Sequence, residues 1–207
     1  MLKKTFTELL LKYTDNQNLI TSLWFEIEKN YSKKKRYYHN LSHLENLMNE
    51  LDFFKEKIED LDTLLFSIYY HDIIYNVLKK DNEEKSALLA VKNLELINFP
   101  NDKIEKCKNN ILATKSHQVS DEYETNFFTD LDLSILGLEW DFYLQYSIKI
   151  RKEYSIYPDI LYIPGRKKIL NSFLSMERIF KTDIFYNKFE SNAKNNIKKE
   201  LEELSKT

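Results

Sequence analysis

Apolar residues recur at helical spacing along the chain, with Leu, Lys and Glu abundant between them, and this pattern predicts an all-α protein. It places helices at roughly 3–14, 17–31, 41–57, 61–75, 82–98, 101–117, 129–136, 139–156, 166–181 and 183–204. The breakers agree with these divisions. Asp81 is positioned to cap the helix opening Asn82-Glu83-Glu84, and Pro100 follows that helix. Pro158 and Pro164-Gly165 bracket what reads as a short extended link. The segment from Gln118 to Phe128 is polar without a period and reads as a loop. From Asn192 to Thr207 the chain is highly charged, as in a solvated final helix.

With 207 residues the chain can bury a substantial core, and no Gly/Ser-rich or Pro-rich linker interrupts it. The expectation is one domain over residues 1–207, a single compact helical fold. Only 2 Gly and 3 Pro occur, which reinforces the helical reading. A net charge of −2, from 31 basic and 33 acidic residues, provides no global field for nucleic-acid polymers or anionic lipid. The lone Cys107 has no partner for an internal disulfide. The opening Met1-Leu2-Lys3-Lys4-Thr5-Phe6 lacks the apolar stretch of a signal peptide, and no run has the length of a membrane span. These features predict a soluble cytoplasmic protein without a membrane partner.

Three polar stretches change the picture from fold to chemistry. His71-Asp72 lies inside Tyr69-Tyr70-His71-Asp72-Ile73-Ile74-Tyr75, where ionisable groups are costly to bury unless paired or bound to a metal. Upstream is His39-Asn40-Leu41-Ser42-His43, and downstream is Asp130-Leu131-Asp132-Leu133. His39 falls at a helix entrance and His43 in its first turn, with Leu44 and Leu47 as core. Adjacent side chains diverge by about 100° on a regular helix, so His71 and Asp72 can share an ion only near a helix end. The polar residues that follow, Asn76 and Lys79-Lys80-Asp81, suggest such an end. Asp130 and Asp132 are two apart and point to nearly opposite sides of a helix, so at most one would ligate. Two imidazoles and two carboxylates suit a borderline-hard divalent cation.

In this order, His43, His71-Asp72 and Asp132 resemble the H…HD…D pattern of the HD-domain superfamily of metal-dependent phosphohydrolases. The likeness to one bacterial branch extends through Arg36-Tyr37-Tyr38-His39-Asn40-Leu41-Ser42-His43, Tyr70-His71-Asp72-Ile73-Ile74-Tyr75 and Asn82-Glu83-Glu84-Lys85-Ser86-Ala87. It continues through Asp130-Leu131-Asp132-Leu133-Ser134-Ile135-Leu136-Gly137, Ile150-Arg151-Lys152-Glu153-Tyr154 and Gly165-Arg166. The resemblance implies an HD-like helical fold and a metal held by His43, His71, Asp72 and Asp132. It also implies Asp132 over Asp130, leaving Asp130 to orient a ligand from behind. The acidic pair that follows the dyad closely in some nucleotide pyrophosphohydrolases is absent; Glu83 is its candidate replacement.

The function implied is metal-dependent hydrolysis of a nucleotide or another small phosphorylated compound, with Mn, Fe, Co, Ni, Zn or Mg as the ion. Glu83 and Asp72 are the candidate catalytic groups, although acids at a helix start are favoured by the dipole alone. Arg36, His39, Lys115, His117, Arg151 and Arg166 are the candidates for holding substrate phosphate. Two alternatives remain open: a non-catalytic nucleotide-binding regulatory module with a structural metal, and a dinuclear-iron oxygenase. The latter needs extra ligands, and only His39 and His117 remain beyond the two assigned histidines.

Overall fold

The helical periodicity is realised as ten α-helices, with no strand among the described residues, Met1–Lys206, of the computed structural model. In chain order they are α1 (Leu2–Leu10), α2 (Gln17–Tyr31), α3 (Leu41–Leu51), α4 (Leu61–Tyr70) and α5 (Asn82–Leu96). There follow α6 (Asn101–Ala113), α7 (Tyr123–Leu133), α8 (Trp140–Glu153), α9 (Asp159–Leu174) and α10 (Asp183–Lys206). The protein is therefore all-α, as its apolar spacing requires. No described helix is long and apolar enough to cross a membrane. By compactness the chain divides into two units, Met1–Thr129 and the residues from Asp130 onward, and the division falls inside α7.

In the first unit α4 is the central element. Its residues Thr63, Leu64 and Phe66 to Tyr70 are all buried, so it is enclosed on nearly every side. It packs against α3, α5 and α6, while α1 packs on α2. Phe6 of α1 sits among Trp24, Phe66, Tyr69 and Tyr70, with the Tyr69 ring 4.7 Å away edge-on. Buried hydroxyls and amides on these apolar helices are satisfied in a chain. Ser67 donates to the Thr63 carbonyl at 2.8 Å, Asn110 donates to Ser67 at 3.1 Å, and Thr125 donates to Asn110 at 2.7 Å. These bonds set the relative registers of α4, α6 and the start of α7.

Side-chain caps fix several helix starts. Asn16 accepts from the Leu19 amide at 3.1 Å, Asn40 from Ser42 at 2.9 Å, and Asp60 from Thr63 at 3.3 Å. Asp81 does occupy the cap position of α5, but makes no capping bond; its carboxylate pairs with Lys85 at 2.9 Å.

Several boundaries depart from the periodicity: α3 ends at Leu51 rather than 57 and α9 at Leu174 rather than 181, and three further departures concern α7, α9 and α4. α7 begins at Tyr123, inside the segment read as a loop, because Thr125, Phe127 and Phe128 turn into the core among their polar neighbours. Ser120 and Asn126 exchange two bonds, at 2.8 and 2.7 Å, that fold the preceding turn against this helix. α9 begins at Asp159 and runs through Pro164 and Gly165, where an extended link was expected. The proline deprives only the Ile160 carbonyl of its partner, on a residue 80% exposed near the helix start, so water can replace the lost bond. α4 stops at Tyr70 rather than 75, for reasons given with the site below.

In the second unit α10 packs on α9 and on the short 3-10 turn Ser134–Gly137. An added Cβ at Gly137 would overlap the Phe189 backbone and Cβ, so this close approach demands glycine. Asn196 donates to the Leu136 and Leu138 carbonyls at 2.9 and 2.8 Å and holds the turn there. The final helix is accordingly more than a solvated tail: Ala193, Asn196, Ile197 and Glu200 are buried. Thr207 lies outside the described residues.

Candidate metal centre

The site forms where two helices meet irregular chain. His39 precedes the Asn40 cap of α3, and His43 lies in its first turn beside Leu44, as the sequence led us to expect. His71 follows the last residue of α4, and its amide still bonds the Ser67 carbonyl at 2.9 Å. Beyond it, side chains take over the backbone. The Asp72 amide donates to Tyr31 Oη at 3.2 Å, while Arg36 donates to the carbonyls of Asp72 and Ile73 at 2.6 and 2.8 Å. The Ile74 amide donates to Ser86 Oγ at 3.0 Å. These partners replace the helical ladder, end α4 early and release Asp72 from helical geometry.

The result is convergence. His71 Nδ1 lies 2.9 Å from the Ile68 carbonyl, which can only accept, so Nδ1 carries the proton and Nε2 presents a lone pair. His43 Nε2 lies 3.2 Å from His71 Nε2. Two nitrogens this far apart, each about 2.1 Å from one ion, would subtend about 100°, within the range of tetrahedral and octahedral sites. Asp72 Oδ2 is 3.2 Å from His71 Nε2, 4.0 Å from His43 Nε2 and 3.9 Å from His39 Nε2. Burial opposes the Asp72 charge, but the imidazoles of His71, His39 and His43 outweigh it and hold the carboxyl well below the usual carboxylate range. His43 and His71 are buried; His39, with 18% of its side chain exposed, is the most open of the three. Its ring stacks on Tyr75 at 4.3 Å and meets Tyr38 edge-on at 4.9 Å.

Asp132 lies in the last turn of α7; at the start of that helix, within the first unit, Glu124 accepts from the Asp60 amide at 2.9 Å. A protonated Nδ1 and the spacing of the His43, His71 and Asp72 donors fit a divalent cation.

Asp130 does different work from the orienting role expected of it. Its oxygens accept from the amides of Lys181 and Thr182 at 2.9 and 2.7 Å and from Thr182 Oγ1 at 2.8 Å. It is fully buried and lies 3.3 Å from Lys181 Nζ, so it anchors the chain entering α10. Glu83, in the first turn of α5, is half-buried. Burial raises its carboxyl above the ordinary value, and the charges of Asp72 and Glu84 add to the effect.

The candidate phosphate holders are dispersed among structural duties. Arg36 is buried, its guanidinium on three carbonyls: those of Asp72, Ile73 and, at 3.1 Å, His39. Lys115 is exposed and bonds Glu84 and, at 3.0 Å, the Lys80 carbonyl. His117 lies beyond the end of α6 with φ 51°, its amide bonded to the Ala113 carbonyl at 3.0 Å. Arg151 joins Asp159 at 2.7 Å and the carbonyls of Tyr154 and Tyr157. Arg166 is buried against Glu200 with two bonds of 2.8 and 2.9 Å.

Tyr31 and Ser86, which hold the Asp72 turn, were not singled out from the sequence. Ser86 lies inside the Asn82–Ala87 motif, whereas Tyr31 carries no local signal. No family model, curated protein or solved structure matches this chain.

Proposed function

We propose that this chain is a metal-dependent phosphohydrolase of the HD type, acting on a nucleotide or another small phosphorylated compound. The reading is carried by one observation: the ligating atoms of His43, His71 and Asp72 converge at a helix end; the resemblance adds Asp132 as the second carboxylate. A bound divalent ion would supply a water of lowered pKa and polarise a phosphoryl oxygen. His43 and His71 offer Nε2, and Asp72 and Asp132 each offer a carboxylate oxygen. Glu83, with its raised carboxyl, accepts the proton released by the attacking water. His39, on the open side, contacts the substrate phosphate.

The test is elemental analysis together with a hydrolysis screen of nucleotides and phosphoesters, using Mn2+, Co2+, Ni2+, Zn2+ and Mg2+. About one ion per chain and metal-dependent phosphate or pyrophosphate release are expected. Failure to bind any divalent ion would sink the reading.

A second reading draws on the internal bonds made by Arg36, Lys115, Arg151 and Arg166, all four of which were expected to hold phosphate. It is a non-catalytic nucleotide-binding module that keeps its metal for structure. Tight nucleotide binding by metal-loaded protein that is inert throughout the screen would favour it.

A further inference from the structure

We propose that Arg36 is a positioning residue for this centre, a single guanidinium that holds the His39 segment and the Asp72 turn in one fixed relation. The proposal rests on the metal reading above. Arg36 Nη1 bonds the Asp72 carbonyl at 2.6 Å and the His39 carbonyl at 3.1 Å, while Nη2 bonds Ile73 at 2.8 Å. Thirty-six residues separate Arg36 from Asp72, so the guanidinium ties together two segments that only the fold brings near. Both bear donors of the site.

The surroundings fix the guanidinium in turn. Its carbon lies 4.9 Å from the Tyr31 ring centre and 5.5 Å from that of Tyr75. Tyr31 Oη accepts from the Asp72 amide, and Tyr75 stacks on His39. The rings that flank the cation thus touch the same two segments. These bonds give the carbonyls of Asp72 and Ile73 donors beyond the end of α4. The position of Asp72 Oδ2 relative to three imidazoles therefore depends on a buried side chain whose Nη1 and Nη2 are engaged with backbone carbonyls.

A planar fork reaches two successive carbonyls at once; an ammonium group cannot reproduce that geometry. Arg36→Lys is thus a demanding substitution despite its retained charge. Losing outer partners of a metal site lowers metal affinity roughly 10–100-fold.

The experiment titrates Co2+ into wild type, Arg36→Lys and Arg36→Ala by calorimetry. Circular dichroism establishes folding, and the visible spectrum of bound Co2+ reports donor geometry. Both variants should bind roughly 10–100-fold more weakly and show an altered spectrum. Low-millimolar guanidinium should restore affinity to Arg36→Ala, whereas ammonium should not. Arg36→Gln, which keeps one planar donor, should fall between wild type and alanine, and it serves if the other variants fail to fold. Wild-type affinity and spectrum in any folded variant would overturn the proposal while leaving the metal reading intact. Absence of Co2+ binding to wild type would overturn the metal reading, and this proposal with it.

Discussion

The two acids of α7 offer the sharpest separation of stability from chemistry. Asp130 accepts three hydrogen bonds and faces the Lys181 ammonium, whereas Asp132 is the acid proposed as a metal ligand. In Asp130→Asn one acceptor becomes an amide donor facing a buried N–H, either of Lys181 or of Thr182. A buried donor left unsatisfied costs about 1–3 kcal/mol. Lys181 also loses its carboxylate, and breaking a buried ion pair from one side costs about 3–5 kcal/mol. Burial already holds the Lys181 pKa below its ordinary value. Proton release is therefore an accessible escape that limits the second cost, and the two figures are not additive. A loss of about 3–5 kcal/mol is expected, or roughly 6–20 °C in Tm for a chain of this size. Asp132→Asn should melt within a few degrees of wild-type apoprotein, but bind Mn2+ or Co2+ far more weakly. Urea denaturation and metal titration of both variants measure the two effects. If Asp130→Asn loses metal while Asp132→Asn keeps it, the register assigned to α7 is wrong.

Further expectations follow from the same contacts. His71→Ala and Asp72→Ala should each abolish stoichiometric metal binding, since each removes a converging donor; elemental analysis showing wild-type content in both would refute the ligand set. Glu83→Gln should retain the metal yet lower turnover about 10²–10⁴-fold against whichever substrate the screen identifies. Unchanged kcat in that variant would remove Glu83 from the proton path. Gly137→Ala should destabilise the second unit by about 1–3 kcal/mol, because the added methyl overlaps Phe189 backbone that has no flexible end to yield. A wild-type melting curve for Gly137→Ala would contradict that packing.

Much of the site was readable because its cues are local. The irregular chain at His71-Asp72 was foreshadowed by the polar residues after Tyr75, and the placement of His43 by its position just after Arg36-Tyr37-Tyr38. Helices themselves depend on neighbours three and four positions away, so composition and apolar spacing determined the all-α class and most boundaries. Where the spacing misled, the cause was local as well. At Pro164 a strong breaker fell where the helix tolerates one lost bond, and before α7 polar residues masked an inward-facing Phe127-Phe128 pair.

Tertiary structure alone decided what each charged side chain does. Arg36 and Arg166 read as phosphate holders and Asp130 as a group orienting a metal ligand, and the structure gives them partners 36, 34 and 52 residues away. A cation's role depends on which carbonyls and carboxylates surround it after folding, and no periodicity encodes that. The same holds for Asp72. Its place among three imidazoles follows from Tyr31, Arg36 and Ser86 capturing the backbone of residues 72–74. Residue types and helix ends could nominate the donors; long-range hydrogen bonds to a short non-helical turn determine where they point.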